Sequence, residues 1–337
     1  MARAFCRIAA CALGIALISA CDRKPAAMPA PAPEPAPTAA QTGTAAATPQ
    51  ANGMRGGQTM ELLGETIAPG STHRLFWSGG QSFDGGSDRT PVLVINGTGR
   101  GPILCLTGAI HGDELNGIEV VRRVTQDLEP ARIRGTVIGI PIVNLQGFRR
   151  GSRYLPDRRD LNRYFPGNPN GSAASRIAWS LFDGIIRHCD GLVDVHTGSL
   201  NRTNLPQLRA DLRNEKVREF VKGFGGMLVL HNAGRPGTLR YAAAQAGIPA
   251  VTLETGEPGR LQSAQVREGT AGIVRLLDAL NIVNRVNLLN AARPVYYQSK
   301  WVRADHGGLL FSLVRLGQIV EAGDVLGTIT DPISNEQ

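Results

Sequence analysis

The chain has 337 residues, 42% of them hydrophobic and 5% aromatic, with 41 glycines and a formal charge of +8. That length and apolar fraction suffice to bury a full core and leave room for a smaller unit beside it. The arginines are scattered among glycines and prolines, with no basic run and no interleaved aromatics, so the pattern argues against a nucleic-acid partner.

Residues 1–20 read as an export signal. Arg3 and Arg7 precede an apolar run from Ile8 to Ile18 that is too short to be a permanent span. Its removal leaves 34 basic against 28 acidic residues, a net charge of +6. The run closes on Ile18, Ser19, Ala20 and Cys21, which is similar to a bacterial lipobox, with Cys21 as the expected lipidation point. Two acyl chains hold a protein stably at a bilayer, so the expected location is the periplasmic side of the bacterial cell envelope, the membrane being contacted through the anchor. Asp22 points to the inner membrane; soluble secretion with Cys21 incidental is the alternative. Residues 21–55 are mostly alanine, proline and threonine, a composition that cannot bury enough apolar surface to fold and reads as a tether.

Strands and helices then alternate. Strand pieces are predicted over Thr59 to Trp77 and Thr90 to Asn96, then an apolar strand from Ile103 to Ile110 that ends at His111. A helix follows over Leu115 to Leu128, a strand over Thr136 to Val143, a helix over Ala173 to His188 and a strand over Leu192 to His196. Further on come a helix over Glu215 to Phe224, a strand over Met227 to Leu230 and a helix near Leu239 to Ala246. A strand over Ala250 to Glu254 and a helix over Ser263 to Asn281 close the series. Apolar strands interleaved with amphipathic helices predict an α/β fold with a mixed, mostly parallel sheet covered on both faces. Ligands in such folds collect beyond the carboxyl ends of the strands, where His111, His196 and Glu254 all stand.

HGDE at His111 to Glu114 and DVHTG around His196 supply two imidazoles and a carboxylate. That donor set suits one catalytic zinc ion per chain and leaves a coordination position for water. LETGE offers Glu254 as a general base that takes a proton from water and passes it to a leaving amine. Each residue also has a plainer reading: a strand-end histidine is often a structural hydrogen-bonding group, Glu114 suits a helix first turn, and Glu254 could pair with an arginine. Three such strand endings together favour the site.

HGDE, RDLNRYFPG at Arg159 to Gly167, DVHTG and LETGE, in that order, resemble the succinylglutamate desuccinylase and aspartoacylase family, a branch of the zinc carboxypeptidase superfamily; the resemblance runs from about Leu93 to the C-terminus. It implies His111, Glu114 and His196 as zinc ligands, Glu254 as base, and Asn162 with Arg163 as the pair holding a substrate carboxylate. It further implies Asp160 as the acid that orients His111. Arg153 aligns with the catalytic arginine if two residues are inserted before DLNR; Arg158 and Arg159 are rivals, and Arg240 is a further possible substrate contact. Tyr154 and Tyr241 line the pocket or simply pack. The implied activity is hydrolysis of an amide other than a peptide bond, releasing the acyl group of an N-acyl amino acid or similar small acid. A zinc carboxypeptidase acting on short peptides or peptidoglycan stems and a non-catalytic envelope binding module remain as alternatives, and nothing in the pattern specifies an oligomer.

In this reading Cys105 and Cys189 are the thiols left in the mature chain. If the superfamily's strand order places the Glu254 strand between theirs, they are too far apart to bridge and pack as buried small hydrophobes. The hydrolase domain is expected over residues 56–288. Residues 289–337 resemble part of a biotinyl-lipoyl-like β-barrel, and the stretch from Gly307 to Pro332 has no lysine to carry a prosthetic group.

Overall fold

Alternate residues of the strand leading to His111 belong to two different cores. Ile103 and Cys105 join one, while Leu104 and Leu106 join the other. A strand buried on both faces needs apolar side chains at every position, which is why this stretch reads as a continuous run. The computed structural model describes residues 56–81, 87–284 and 295–333. The expected signal, anchor cysteine and tether lie outside the described residues. Among the described residues, no helix is long and apolar enough to cross a membrane.

In chain order, β1 (Met60–Leu62) and β2 (Glu65–Ile67) form a short hairpin. Then come β3 (Ser71–Gln81), β4 (Ser87–Asn96), β5 (Gly99–Gly108), α1 (Leu115–Gln126), β6 (Arg134–Ile140), α2 (Leu145–Arg149) and α3 (Ala173–Gly184). The series continues with β7 (Gly191–His196), β8 (Asn204–Ala210), α4 (Glu215–Lys222), β9 (Leu228–His231), α5 (Leu239–Gln245), β10 (Ala250–Gly256) and α6 (Ser263–Ala279). Three short strands close it: β11 (Val295–Tyr296), β12 (Leu309–Ser312) and β13 (Gly327–Thr330). Side-chain caps fix several helix starts: Ser172 accepts from the Ser175 N–H before α3, and Asn214 from the Val217 N–H before α4.

Nine strands make one twisted sheet in the order β11-β9-β8-β10-β7-β5-β6-β4-β3. Five of its eight pairings are parallel, and three are antiparallel. One face carries α1, α4 and α6 over Leu106, Val193 and Leu253; the other carries α3 and α5 over Ile103, Leu192 and Ala250. The predicted α/β class with a mixed, mostly parallel sheet and helices on both faces is what the structure has.

Two features differ from the sequence reading. Strand β8 was not predicted, because Pro206 sits inside it and proline is a poor strand residue. The antiparallel register of β8 against β10 shifts between Glu254 and Gly256, and Pro206 falls within that irregularity, where no ladder N–H is required of it. The second difference concerns the cysteines. Cys105 and Cys189 form a disulfide, with their Cα atoms 5.9 Å apart. The expectation of two separate thiols required β10 to run between β5 and β7. Instead β7 pairs directly with β5, placing Leu192 beside Cys105, and β10 lies on the far side of β7. Cys189, in the turn entering β7, is therefore within bridging reach.

In the C-terminal stretch, Val295–Tyr296 adds an edge strand to the large sheet by pairing with β9. Strands β12 and β13 make a separate antiparallel pair whose Leu310, Phe311 and nearby Leu313 are exposed.

Candidate metal centre and cleft

Strand β5 stops at Gly108, and Ala109, at a left-handed φ of 46°, turns the chain out of the sheet into the HGDE segment. Gly112 lies flat against the backbone of α2: a Cβ there would stand 2.1 Å from the Gly147 carbonyl carbon. The segment is thus wedged between strand end and helix, and it delivers His111 and Glu114 to the carboxyl edge of the sheet. His196, the last residue of β7, has Glu254 as its register partner on β10. Both side chains point to the α5 face, as does Asp194 two residues before His196.

His111, Glu114 and His196 are all buried, and one ligand atom from each lies within 4.8 Å of the others, so the group could hold a metal ion. Glu114 bridges the imidazoles: Oε1 is 2.8 Å from Nδ1 of His111, and Oε2 is 2.8 Å from Nδ1 of His196. The far ring nitrogens are also engaged, Nε2 of His111 by Asp160 at 3.1 Å and Nε2 of His196 by Asp194 at 2.7 Å. A carboxylate on the outer nitrogen fixes the ring and turns the other nitrogen inward, the usual support of a metal-binding histidine. The donor chemistry fits a divalent metal with nitrogen and oxygen preference.

The electrostatics agree with this support. Burial would suppress the charged form of His196, but Asp194 and Glu114 outweigh it and raise its pKa well above 6.5. Burial likewise opposes charging of His111, and Glu114 and Asp160 turn the balance upward. Glu114, despite complete burial, is held far below the usual carboxylate range by His111 and His196. Glu254 goes the other way: burial raises it more than Arg209 and His196 lower it.

Asp160 is a hub. Its Oδ1 faces His111 and also accepts from the Asn162 N–H, while its Oδ2 receives Arg153 at 3.0 Å and faces Arg163 at 3.5 Å. Arg153 reaches on to Glu114 at 3.2 Å. Arg158 and Arg159, its rivals, are exposed, and Arg159 is paired with Asp157. The loop bearing Asn162 and Arg163 is tied to the start of α5: the Leu239 N–H donates to Asn162 Oδ1 at 2.8 Å, and Phe165 bridges to Gly237. Gly237, at φ 88°, allows that contact, since a Cβ would stand 2.4 Å from the Arg163 carbonyl oxygen.

These groups line one cleft of about 290 Å³ that includes His111, Glu114, Arg153, Asn162, Arg163, His196, Arg240 and Glu254. Tyr154 and Tyr241 are not part of its lining. Arg240 is buried and donates to the carbonyl and side-chain oxygens of Asn232. Burial, with Arg209 nearby, lowers its pKa to about 10, which still leaves it charged at neutral pH. Sequence reasoning missed Asp194, Asn204, Arg202, Arg209, Arg235 and Trp301. The D-x-H spacing on an apolar strand could have revealed Asp194, because residues two apart share a face. Nothing local pointed to Trp301, which comes from beyond α6 and lies under the Arg202 guanidinium at 5.3 Å.

Fold and site together define a mixed α/β protein with a buried His–Glu–His group, suited to a metal ion, at the carboxyl edge of its sheet. The sequence pattern of the succinylglutamate desuccinylase/aspartoacylase catalytic domain matches residues 100–280, and the chain belongs to that family of deacylases. It is 27% identical over 258 residues to the N-alpha-acetyl-L-2,4-diaminobutyric acid deacetylase of Halomonas elongata, covering 73% of this chain and 75% of that one. Among solved structures it resembles a succinylglutamate desuccinylase/aspartoacylase from Rhodobacter sphaeroides, with 26% identity, a TM-score of 0.67 and coverage of 77% and 82%. It is also similar to the product-bound ectoine utilization protein EutE (DoeB) of Ruegeria pomeroyi, with 25% identity, a TM-score of 0.70 and coverage of 79% and 84%.

Proposed function

We propose that this protein is a zinc-dependent amidohydrolase that removes the acyl group from an N-acyl amino acid or similar small acid. The observation that carries the reading is the buried His111–Glu114–His196 group sharing one cleft with Glu254 and Arg153. Zinc held by those three side chains would polarise an amide carbonyl and make water acidic enough to give up a proton near neutrality. Glu254 accepts that proton and delivers it to the departing nitrogen as the C–N bond breaks, giving a carboxylic acid and an amine. Its burial, which raises its affinity for a proton, suits a group that must both take and return one. Arg153 supplies positive charge for the oxyanion, and Asn162 with Arg163 offers a planar, bidentate seat for a substrate carboxylate.

The charge of the cleft bears on the substrate. Arg163, Arg202, Arg235 and Arg240 line it, beside Arg153 and Arg209, which are paired with Glu114 and Glu254. Such a wall favours anionic substrates. The substrate named for the Halomonas relative carries a free amine, which those four guanidinium groups would disfavour.

The disulfide supports a place outside the cytoplasm, because such bridges persist in oxidising compartments. With the signal-like N-terminus and Cys21, it favours a lipid-anchored protein of the periplasmic side.

The test is to assay the zinc-loaded protein against acidic N-acyl amino acids, N-acyl diamino acids and short peptides side by side. Acidic acyl amino acids should be turned over fastest. Glu254→Gln should keep near-stoichiometric zinc and lose about 10²- to 10⁴-fold in turnover. Hydrolysis confined to peptides, or unchanged turnover in Glu254→Gln, would overturn the proposal.

A further inference from the structure

The strand that sequence reasoning missed holds both oxygens of the residue assigned as base. Glu254 is 8% exposed, and a buried carboxylate needs partners to keep one orientation. Both partners come from β8. Asn204 Nδ2 donates to Oε2 at 2.9 Å, and Arg209 Nε stands 3.1 Å from Oε1 as an ion pair, its N–H out of line for a hydrogen bond. The Asn204 bond therefore supplies direction and the Arg209 pair supplies charge.

The backbone is shaped for this. On β10 the register advances two residues, from Glu254 to Gly256, while β8 uses three, from Gln207 to Asn204. In a regular ladder Asn204, three residues from Gln207, would face the opposite side of the sheet from Glu254. The extra residue is a β-bulge that turns Asn204 back to the cleft, a device that often re-aims a side chain beside a site. Arg209, two residues from Gln207, reaches the same face without help. Neither residue is needed to join β8 to its neighbours, since the ladders use backbone groups.

We infer that β8 acts as a clamp on Glu254, with Asn204 and Arg209 as positioning residues that aim its carboxylate. The inference rests on the proposed role of Glu254 as base. It predicts a loss in turnover and not in binding, because a misaimed base slows chemistry while leaving the substrate's own contacts in place. Misplacement by about 1 Å can cost on the order of 100-fold.

The test is steady-state kinetics of Arg209→Ala, Arg209→Lys and Asn204→Ala in the metal-loaded full chain, each also combined with Glu254→Gln. Expected are unchanged metal content, kcat lowered about 10- to 100-fold with KM within about threefold, and partial recovery in Arg209→Lys or on adding guanidinium to Arg209→Ala. In the Glu254→Gln background the same changes should cost almost nothing further, since there is no base left to aim. A loss expressed mainly in KM and dependent on substrate charge would make Arg209 a substrate contact and overturn the clamp. An undiminished loss in the Glu254→Gln background would do the same. Full activity of Arg209→Ala and Asn204→Ala beside an inactive Glu254→Gln would sink the clamp alone, whereas an active Glu254→Gln would remove both the clamp and the base.

Discussion

Glu114 sits beneath four donors: the two imidazole nitrogens, the Arg153 guanidinium and the Thr197 backbone N–H. A buried carboxylate so satisfied is fixed before any ion arrives, so little reorganisation opposes metal capture. The outer carboxylates act one step further out. Asp194 is fully buried between Nε2 of His196 and the Thr107 hydroxyl, which donates to it at 2.7 Å. Asp194→Asn keeps the shape and removes the charge, so zinc affinity should fall about 10- to 100-fold, measured by competition with a chelator. An unchanged affinity would mean that Asp194 serves packing alone. Protons compete for the same nitrogens. Because the pKa values of His111 and His196 are raised above 6.5 in the metal-free protein, both imidazoles hold protons at a higher pH than a free histidine does. Apparent zinc affinity should accordingly begin to weaken above pH 6.5 as the solution is acidified, and Asp194→Asn should shift that onset downward.

Among the elements, those that carry the site residues were legible because each is a mostly apolar run leading to a polar residue at its carboxyl end: β5 into His111, β7 at His196 and β10 at Glu254. Burial on both faces writes such strands plainly into a sequence. Helices α1, α3 and α6 were legible from their periodicity, with ends displaced by a few residues, as when the predicted helix to His188 breaks at Gly184 into a 3-10 turn. What was not legible came from pairing. Strand β8 has a proline and a half-buried pattern, and its place depends on partners that a local reading does not supply. The disulfide was misread for the same reason, since the neighbour of β5 follows from the order of crossovers and not from either cysteine's surroundings. Arg153 could not be separated from Arg158 and Arg159 in sequence, because a loop arginine is assigned by the acids it meets, here Glu114 and Asp160.

For the molecule as a whole, the Cys105–Cys189 bridge ties the middle of β5 to the entry of β7, 84 residues apart, in the core beneath α3. A crosslink over a loop of that length typically contributes about 2 to 5 kcal/mol by limiting the unfolded chain. The paired variant Cys105→Ala with Cys189→Ala should lose about that much in denaturant unfolding. Bound zinc in the folded fraction should be unchanged, because neither cysteine is among the residues that line the cleft. Quantitative thiol alkylation of the native wild type would contradict the bridge. Loss of zinc at full folding would show that the bridge sets the spacing of the strands bearing the two histidines.

Asp160 faces two ways, and that makes metal and substrate answer to each other. One oxygen braces His111 while the other is shared by Arg153 and Arg163. An anion that draws those guanidinium groups into the cleft relieves Asp160 of part of their charge and leaves it a stronger acceptor for the imidazole. Occupancy of the anion seat should therefore tighten the hold on the metal, and by thermodynamic reciprocity the metal should tighten the hold on the anion by the same factor. A saturating unreactive carboxylate should lower the zinc dissociation constant of the wild type and leave that of Asp160→Asn unmoved; equal responses would mean that the two occupants are independent. On this account the small cleft is a cooperative pair of sites with one aspartate as the joint.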